Sequence, residues 1–166
     1  MMNDSQHTSP LQGVLALWRR LTAALDALQP AAALGARLYL GQVFFLSGLT
    51  KIRDWGTTVA LFTDEYKVPL LPPALAAVMG TAGELVLPVL LVLGLGGRFA
   101  ALGLFVVNAV AVIALQEIAP AALQQHVFWG SLLAGLAIYG PGAWLLERRV
   151  WPRRAATPAP AAPATN

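Results

Sequence analysis

Residues 31–50 read AAALGARLYLGQVFFLSGLT, twenty positions in which Arg37 is the sole charge. At 1.5 Å per residue a helix of that length covers about 30 Å, the thickness of a bilayer's hydrocarbon core. This run, entered after Pro30, reads as the first membrane span. The same reasoning places a second span over Pro72 to Leu93, opened by the Pro72-Pro73 pair, and a third over Phe99 to Leu115, with Gly94 to Arg98 as the turn between them. A fourth apolar run from Val127 to Leu146 is interrupted by Gly140-Pro141-Gly142, and its helix is expected to end near Gly140. The expected fold is all-α: a polytopic membrane protein with four transmembrane helices in an antiparallel bundle.

Composition points the same way. Of 166 residues, 57% are hydrophobic and 11% charged, with a mean hydropathy of +0.64, which excludes an ordinary water-soluble domain. The absence of cysteine excludes disulfides, thiol redox centres, Cys-ligated zinc or iron–sulfur clusters and covalently attached haem. A redox role would need a borrowed cofactor. The net charge of +3 comes mostly from arginines near the chain ends, a topology signal rather than a nucleic-acid footprint.

Outside the spans, Leu11, Val14, Leu15, Trp18, Leu21, Leu25 and Leu28 recur at helical spacing beside Arg19 and Arg20, the pattern of an interfacial amphipathic helix. Trp55, Val59, Phe62 and Tyr66 form a similar stripe in the first outer loop, residues 51–71, and Ala143 to Trp151 is expected to lie along the interface after the fourth span. These readings divide the chain into an N-terminal segment 1–30, a four-helix domain 31–146 and a basic, then Ala- and Pro-rich, disordered tail 147–166. The first apolar run follows a start without Lys or Arg and shows no A-x-A-like site, so no cleaved leader is expected. Seven basic residues (Arg19, Arg20, Arg98, Arg148, Arg149, Arg153, Arg154) fall on the side of the termini and three (Lys51, Arg53, Lys67) on the other, which makes both termini cytoplasmic.

Polar residues within lipid need a partner or a water-filled cavity, so they are the candidate site. Counting from the cytoplasmic side, Arg37 lies roughly 9 Å deep, Asn108 roughly 14 Å, Glu84 roughly 15 Å and Gln42 roughly 16 Å. Such a layer supports two readings. In one, Arg37 and Glu84 neutralise each other while Asn108 and Gln42 bond across helices. In the other, Arg37 and Asn108 hold the carbonyl oxygens of a quinone or an anionic group, with Glu84 as candidate proton carrier. Gly41 and Gly48 share the face of Arg37, where a neighbouring backbone can come close. Lys51, closing the first span, is expected to snorkel to the headgroups. His126, near Gln124, Gln125 and Trp129, is an outer-face candidate for a hydrogen-bonded residue or for a proton or metal site. A metal site built from protein ligands alone is not expected, because His7 falls on the opposite side and the three methionines do not cluster.

The run Arg37-Leu-Tyr-Leu-Gly41, Phe45-Leu-Ser-Gly48-Leu-Thr-Lys51, then Gly83-Glu84-Leu85, Pro88 to Gly94 and Arg98-Phe99-Ala-Ala, resembles the DoxX family of small four-helix membrane proteins over roughly residues 31–140. Ser47-Gly-Leu-Thr-Lys-Ile, Asp54-Trp55, Thr58-Val-Ala-Leu-Phe62, Asp64-Glu-Tyr66 and Val68-Pro-Leu-Leu-Pro-Pro73 look more narrowly like its HvfX-type branch. The resemblance implies a bacterial inner-membrane accessory protein, with links to quinol or thiosulfate oxidation in the family and to copper or oxidative stress in this branch. It marks Arg37, Gly41, Gly48, Lys51 and Glu84 as motif positions and supplies no catalytic residue.

Two functional expectations follow. The chain is the membrane subunit of a quinone-linked redox or metal-stress system, with no intrinsic cofactor and little scope for catalysis on its own. Alternatively it is a non-enzymatic anchor or maturation partner for a metal-binding peptide or electron-transfer protein. The expected partners are the lipid bilayer, a membrane or periplasmic protein and a second copy of the chain, and not nucleic acid.

Overall fold

The computed structural model describes residues 10–115 and 117–146. They form five helices: α1 (Pro10–Arg53), α2 (Trp55–Asp64), α3 (Pro73–Leu93), α4 (Gly97–Ala114) and α5 (Pro120–Tyr139). The described residues contain no strand, only an isolated bridge between Tyr66 and Leu115. Expected breaks at Pro72-Pro73 and Pro120 appear as helix starts, with Pro73 and Pro120 in the first turn, where a missing N–H costs nothing. Gly94 ends α3 in the left-handed region at φ 70°, and Gly96 enters α4 at φ 55°.

One expectation fails at the first boundary. α1 runs unbroken for 44 residues through Pro30, about 66 Å at the usual rise, so there is no separate interfacial helix ending at residue 29. An interior proline loses one hydrogen bond and costs a helix about 3 kcal/mol, but Pro30 lies between alanine-rich turns (Ala23, Ala24, Ala27 and Ala31 to Ala33), the strongest helix formers. The N-terminal stripe is helical as expected, and its residues Leu11 to Leu28 are exposed rather than packed on the bundle.

Three helices, α1, α3 and α4, are long and apolar enough to cross a membrane. α5 has a span's length, but Gln124, Gln125 and His126 in its first turns reduce its apolarity, so of the four expected spans three meet that measure of length and apolarity. Packing runs in chain order: α1 against α3, α3 against α4, α4 against α5, with α5 returning to α1. The shared core is Leu40, Phe44, Leu91, Ala100, Ala101, Leu104, Leu133 and Leu136. Large apolar side chains such as Leu38, Leu46, Val86, Val89, Leu102 and Phe99 point outward, an arrangement that lipid, not water, accommodates.

The other two expected interfacial helices fare differently. α2 forms, started by Asp54, whose carboxylate accepts from the Thr57 backbone N–H at 3.0 Å and its hydroxyl at 2.7 Å. Those bonds hold the Asp54 carboxyl below its usual value. The stripe on α2 meets protein in part: Phe62 is buried with Ala76 and Ala77 of α3 and Val59 packs against them, while Trp55 stays exposed. After α5 the expectation fails: residues 143–146 are not helical, and the Leu146 N–H donates to the Leu93 carbonyl at 3.2 Å. α3 ends with unsatisfied carbonyls, and a returning strand of backbone satisfies them better than a helix lying elsewhere. Residues 147–151 of that expected helix, and the tail, lie outside the described residues.

α1 and α3 meet at two glycines. A Cβ on Gly41 would collide with Val92 Cγ2, and one on Gly48 would lie 2.8 Å from Leu85 Cγ and 3.2 Å from the Glu84 carbonyl carbon. The obstacle is a side chain at Gly41 and partly backbone at Gly48. Gly41→Ala should therefore lower stability by about 1–3 kcal/mol and be largely rescued by Val92→Ala, whereas Gly48→Ala should not be rescued by Leu85→Ala. Thermal unfolding in detergent micelles checks this, and equal rescue at both sites would contradict the seam.

Candidate functional site

The α1–α3 register decides which polar side chains meet. Arg37 of α1 lies level with Leu91 and Val92 near the end of α3, while Gly48 and Lys51 lie level with Glu84. Arg37 and Lys51 are fourteen residues apart, about 21 Å along the helix. The expected Arg37–Glu84 pair is thus absent. A depth scale that starts at Pro30 puts Arg37 too deep, because α1 continues past that residue and the bundle's end is set by Gly94, opposite Arg37.

Arg37, 2% exposed, uses its guanidinium on backbone instead of a carboxylate. Nε donates to the Leu91 carbonyl at 2.8 Å, Nη2 to that of Val92, and Nη1 to those of Trp144 at 2.8 Å and Pro141 at 3.3 Å. The last carbonyls of α3 carry the negative end of the helix dipole, and beyond the Gly94 N–H, which reaches that of Leu91 at 3.2 Å, the helix runs out of donors for them, so a cation with a fixed fork of donors suits them. Arg37 is a clasp between α1, the end of α3 and the returning segment.

Glu84, 8% exposed, finds its cation in Lys51. The ammonium turns inward, contrary to the expected snorkelling, donating to Glu84 Oε2 at 2.5 Å and to Ser47 Oγ at 3.0 Å. The Lys51 backbone carbonyl accepts from the buried Thr58 hydroxyl at 2.9 Å, which ties α2 to the same turn. One turn from Glu84 on α3, the Thr81 hydroxyl is buried with no hydrogen-bond partner among the described residues.

This pair forms one wall of a chamber of about 390 Å³ between α2, α3 and α4. Its other walls are apolar, with Phe62, Met79, Val107, Val110 and Ala111 among them, and Tyr66 closes it from the loop after α2. That loop is fastened to α4 by the Lys67 N–H, which donates to the Ala114 carbonyl at 2.8 Å. Burial raises the Tyr66 phenol above its usual value, and the charges of Glu65 and Glu84 raise it further, so the hydroxyl remains a donor at neutral pH. An apolar cavity with a few convergent polar groups is the general form of a small-molecule site.

The remaining residues of the expected layer separate. Asn108, 4% exposed, faces α5: its Nδ2 donates to the His126 carbonyl at 3.0 Å, and its Oδ1 lies 2.8 Å from His126 Nδ1. His126 packs edge-on to Trp129, whose Nε1 donates to the Tyr39 hydroxyl at 3.1 Å. Gln42 is exposed and bonds to none of the others. His7 lies outside the described residues. Sequence reasoning missed Lys51 as the partner of Glu84, and with it Tyr66 and Thr81. The available signal was the Gly48-to-Lys51 turn, which needs a close neighbour and places a cation beside it.

These features define a small helical membrane protein with a chamber under its first connecting loop. The DoxX family model matches residues 32–117, and the chain belongs to that family. No curated protein and no solved structure matches the chain.

The ion pair is open to a double-mutant cycle. Lys51→Ala should cost about 3 kcal/mol by leaving the buried Glu84 carboxylate unpaired, Glu84→Ala should cost less because the ammonium it leaves is only half-buried, and the double variant should regain part of the loss. Pairing Glu84→Ala with Arg37→Ala should give additive losses. Unfolding midpoints in detergent measure both cycles, and coupling of Glu84 to Arg37 instead of Lys51 would refute the register.

Proposed function

We propose that the chain is the membrane component of a quinone-linked redox system and that the chamber receives the quinone ring. The observation that carries this reading is the Lys51–Glu84 pair, its carboxylate buried and its ammonium half-buried, on the wall of an otherwise apolar cavity of about 390 Å³. A quinone needs an apolar slot for its ring, a hydrogen-bond donor at a carbonyl oxygen and a group that exchanges protons. Lys51 Nζ and the Tyr66 hydroxyl are the donors, and Glu84 exchanges the proton. The electrons come from a partner protein, since the chain has no cysteine for a thiol or iron–sulfur centre. On this reading α5 is the fourth span, the protein lies in a bacterial inner membrane with both termini cytoplasmic, and the HvfX-type features of residues 47–73 tie the system to metal or oxidative stress. One observation favours the non-enzymatic alternative: the exposed stripe Leu11 to Leu28 is a face for lipid or for a partner protein.

Titration of the purified protein with a short-chain ubiquinone analogue, followed by calorimetry, tests the chamber. Ala111→Trp should fill the cavity and abolish binding, and Glu84→Gln should keep the fold while weakening binding about tenfold, roughly the 1.4 kcal/mol of a lost charge-assisted hydrogen bond. Unchanged binding in both variants would remove the quinone from the chamber. Topology is separately testable: reporters fused at Asn166 and at Ile118 should report opposite sides of the membrane, and the same side would rule out α5 as a span.

A further inference from the structure

The side of α1 turned away from the bundle carries a regular pattern. From Leu11 its apolar residues recur in alternating steps of three and four, Leu11, Val14, Trp18, Leu21, Leu25 and Leu28, the seven-residue repeat of a helix that winds around another helix. Each of the six is more than half exposed. Continued in the same steps, the repeat enters the span at Ala32, Gly35, Tyr39, Gln42 and Leu46, all of them exposed. The residues that α1 packs against the bundle, Arg37, Leu40, Gly41, Phe44 and Gly48, fall outside the repeat. Tyr39, at the margin, also reaches Trp129 and Phe128 of α5, whereas a Cβ built on Gly35 would meet nothing within 4 Å. From Leu11 to Leu46 the stripe is about 53 Å long.

Gln42 identifies what covers it. This residue stands about 8 Å along the helix from Arg37 and about 14 Å from Lys51, within the span, and its exposed side chain makes no hydrogen bond among the described residues. An amide in hydrocarbon needs a partner, and it is its own complement: each carboxamide donates through its NH2 and accepts through its oxygen, so two satisfy each other. Two copies of α1 inserted the same way run parallel, and a parallel pair joined along a seven-residue repeat sets each seam residue opposite its counterpart. Gln42 then meets Gln42. Arg19, Arg20 and Asp26 lie off the repeat, so no like charges are brought together. A lipid surface fits the stripe less well, because α1 continues unbroken from the span and carries Leu28 to Leu11 about 14 to 39 Å beyond Arg37, past a headgroup layer of about 5–8 Å. We infer that a second copy of this chain covers the stripe: a parallel pair of α1 helices, wound as a coiled coil over Leu11 to Leu28, closely approached at Ala32 and Gly35, and joined in the membrane by the two Gln42 amides. The inference is independent of the chamber, which shares no residue with this seam.

The chain has no cysteine, so single cysteines report the seam without background. In proteoliposomes of the purified protein, mild oxidation should link Leu21→Cys and Leu28→Cys into disulfide dimers, whereas Ala23→Cys, on the opposite side of the helix, should react at least tenfold less. Energy transfer between fluorescently labelled copies, followed as lipid dilutes them, reads the association constant. Gln42→Leu should lower it about tenfold, and Gln42→Asn, which keeps a self-complementary amide, should restore most of the loss. Leu21→Glu should abolish association through the coiled coil. All of these positions are exposed in one copy, so the variants should keep the parent's unfolding midpoint in detergent at concentrations where it is monomeric. Equal cross-linking at Leu21 and Ala23, or association unchanged in both Gln42→Leu and Leu21→Glu, overturns the proposal. A monomer in lipid whose Leu21→Cys bimane adduct is quenched by brominated phospholipid would assign the stripe to the bilayer and overturn it as well.

Discussion

Two helices in lipid gain nothing from the hydrophobic effect when they approach, so the contact between α1 and α3 has to come from close packing and from polar groups that lipid will not solvate. Gly41 and Gly48 allow the approach, and Arg37 and Lys51, at the two ends of the same seam, fix how far one helix can slide along the other. Arg37 finds carbonyls only where α3 runs out of internal donors. Lys51 finds a carboxylate only at Glu84. A slip of one turn would leave both cations and the carboxylate unpaired in a low-dielectric interior, at several kcal/mol for each charge. The chamber, the loop above it and the docked segment after α5 are all positioned by that register.

The two cations solve the same problem differently, and the difference matters for function. Arg37 is enclosed by backbone carbonyls from α3 and from Pro141 and Trp144, where no proton can be exchanged and a fixed planar fork of donors is the only requirement. Its place is structural. Lys51 and Glu84 sit against a cavity, and a carboxylate whose counter-ion is a flexible ammonium can change its proton or its partner when something enters. The cavity therefore opens at the end of the bundle under the loop, and the opposite end is clasped. The proposed quinone reading rests on this asymmetry and on the Tyr66 hydroxyl beside it.

α4 separates the two polar environments. Val107, Val110 and Ala111 face the chamber, while Phe105 and Asn108 face α5, an alternation that follows from the 100° step between helical residues. Asn108 is buried for the same reason Arg37 is: its amide is satisfied on both sides, by a carbonyl and by a ring nitrogen. It is not part of the chamber, even though its depth in the membrane had suggested a common layer with Glu84.

Much of the fold was legible from composition and punctuation. Long apolar runs require helices because lipid offers no partner for backbone groups, and Pro73, Gly94 and Pro120 set helix ends through the missing N–H and the left-handed region that glycine tolerates. Arg37, Glu84 and Asn108 were identifiable as buried because a polar side chain inside an apolar run has nowhere else to go. Their partners were not identifiable, because pairing depends on how two helices slide past each other, and a count along one chain sets that only if its starting point is known. Pro30 supplied a false start: its local cost was outweighed by the alanines around it, so the depth scale shifted and the carboxylate was assigned to the wrong cation. The stripe on α2 was visible as a stripe, but that Phe62 meets Ala76 and Ala77 while Trp55 stays exposed depended on where the loop brought it. Sequence by itself determined which residues had to be buried and where helices could end; only the tertiary structure, through the close seam at Gly41 and Gly48, decided which buried charges met.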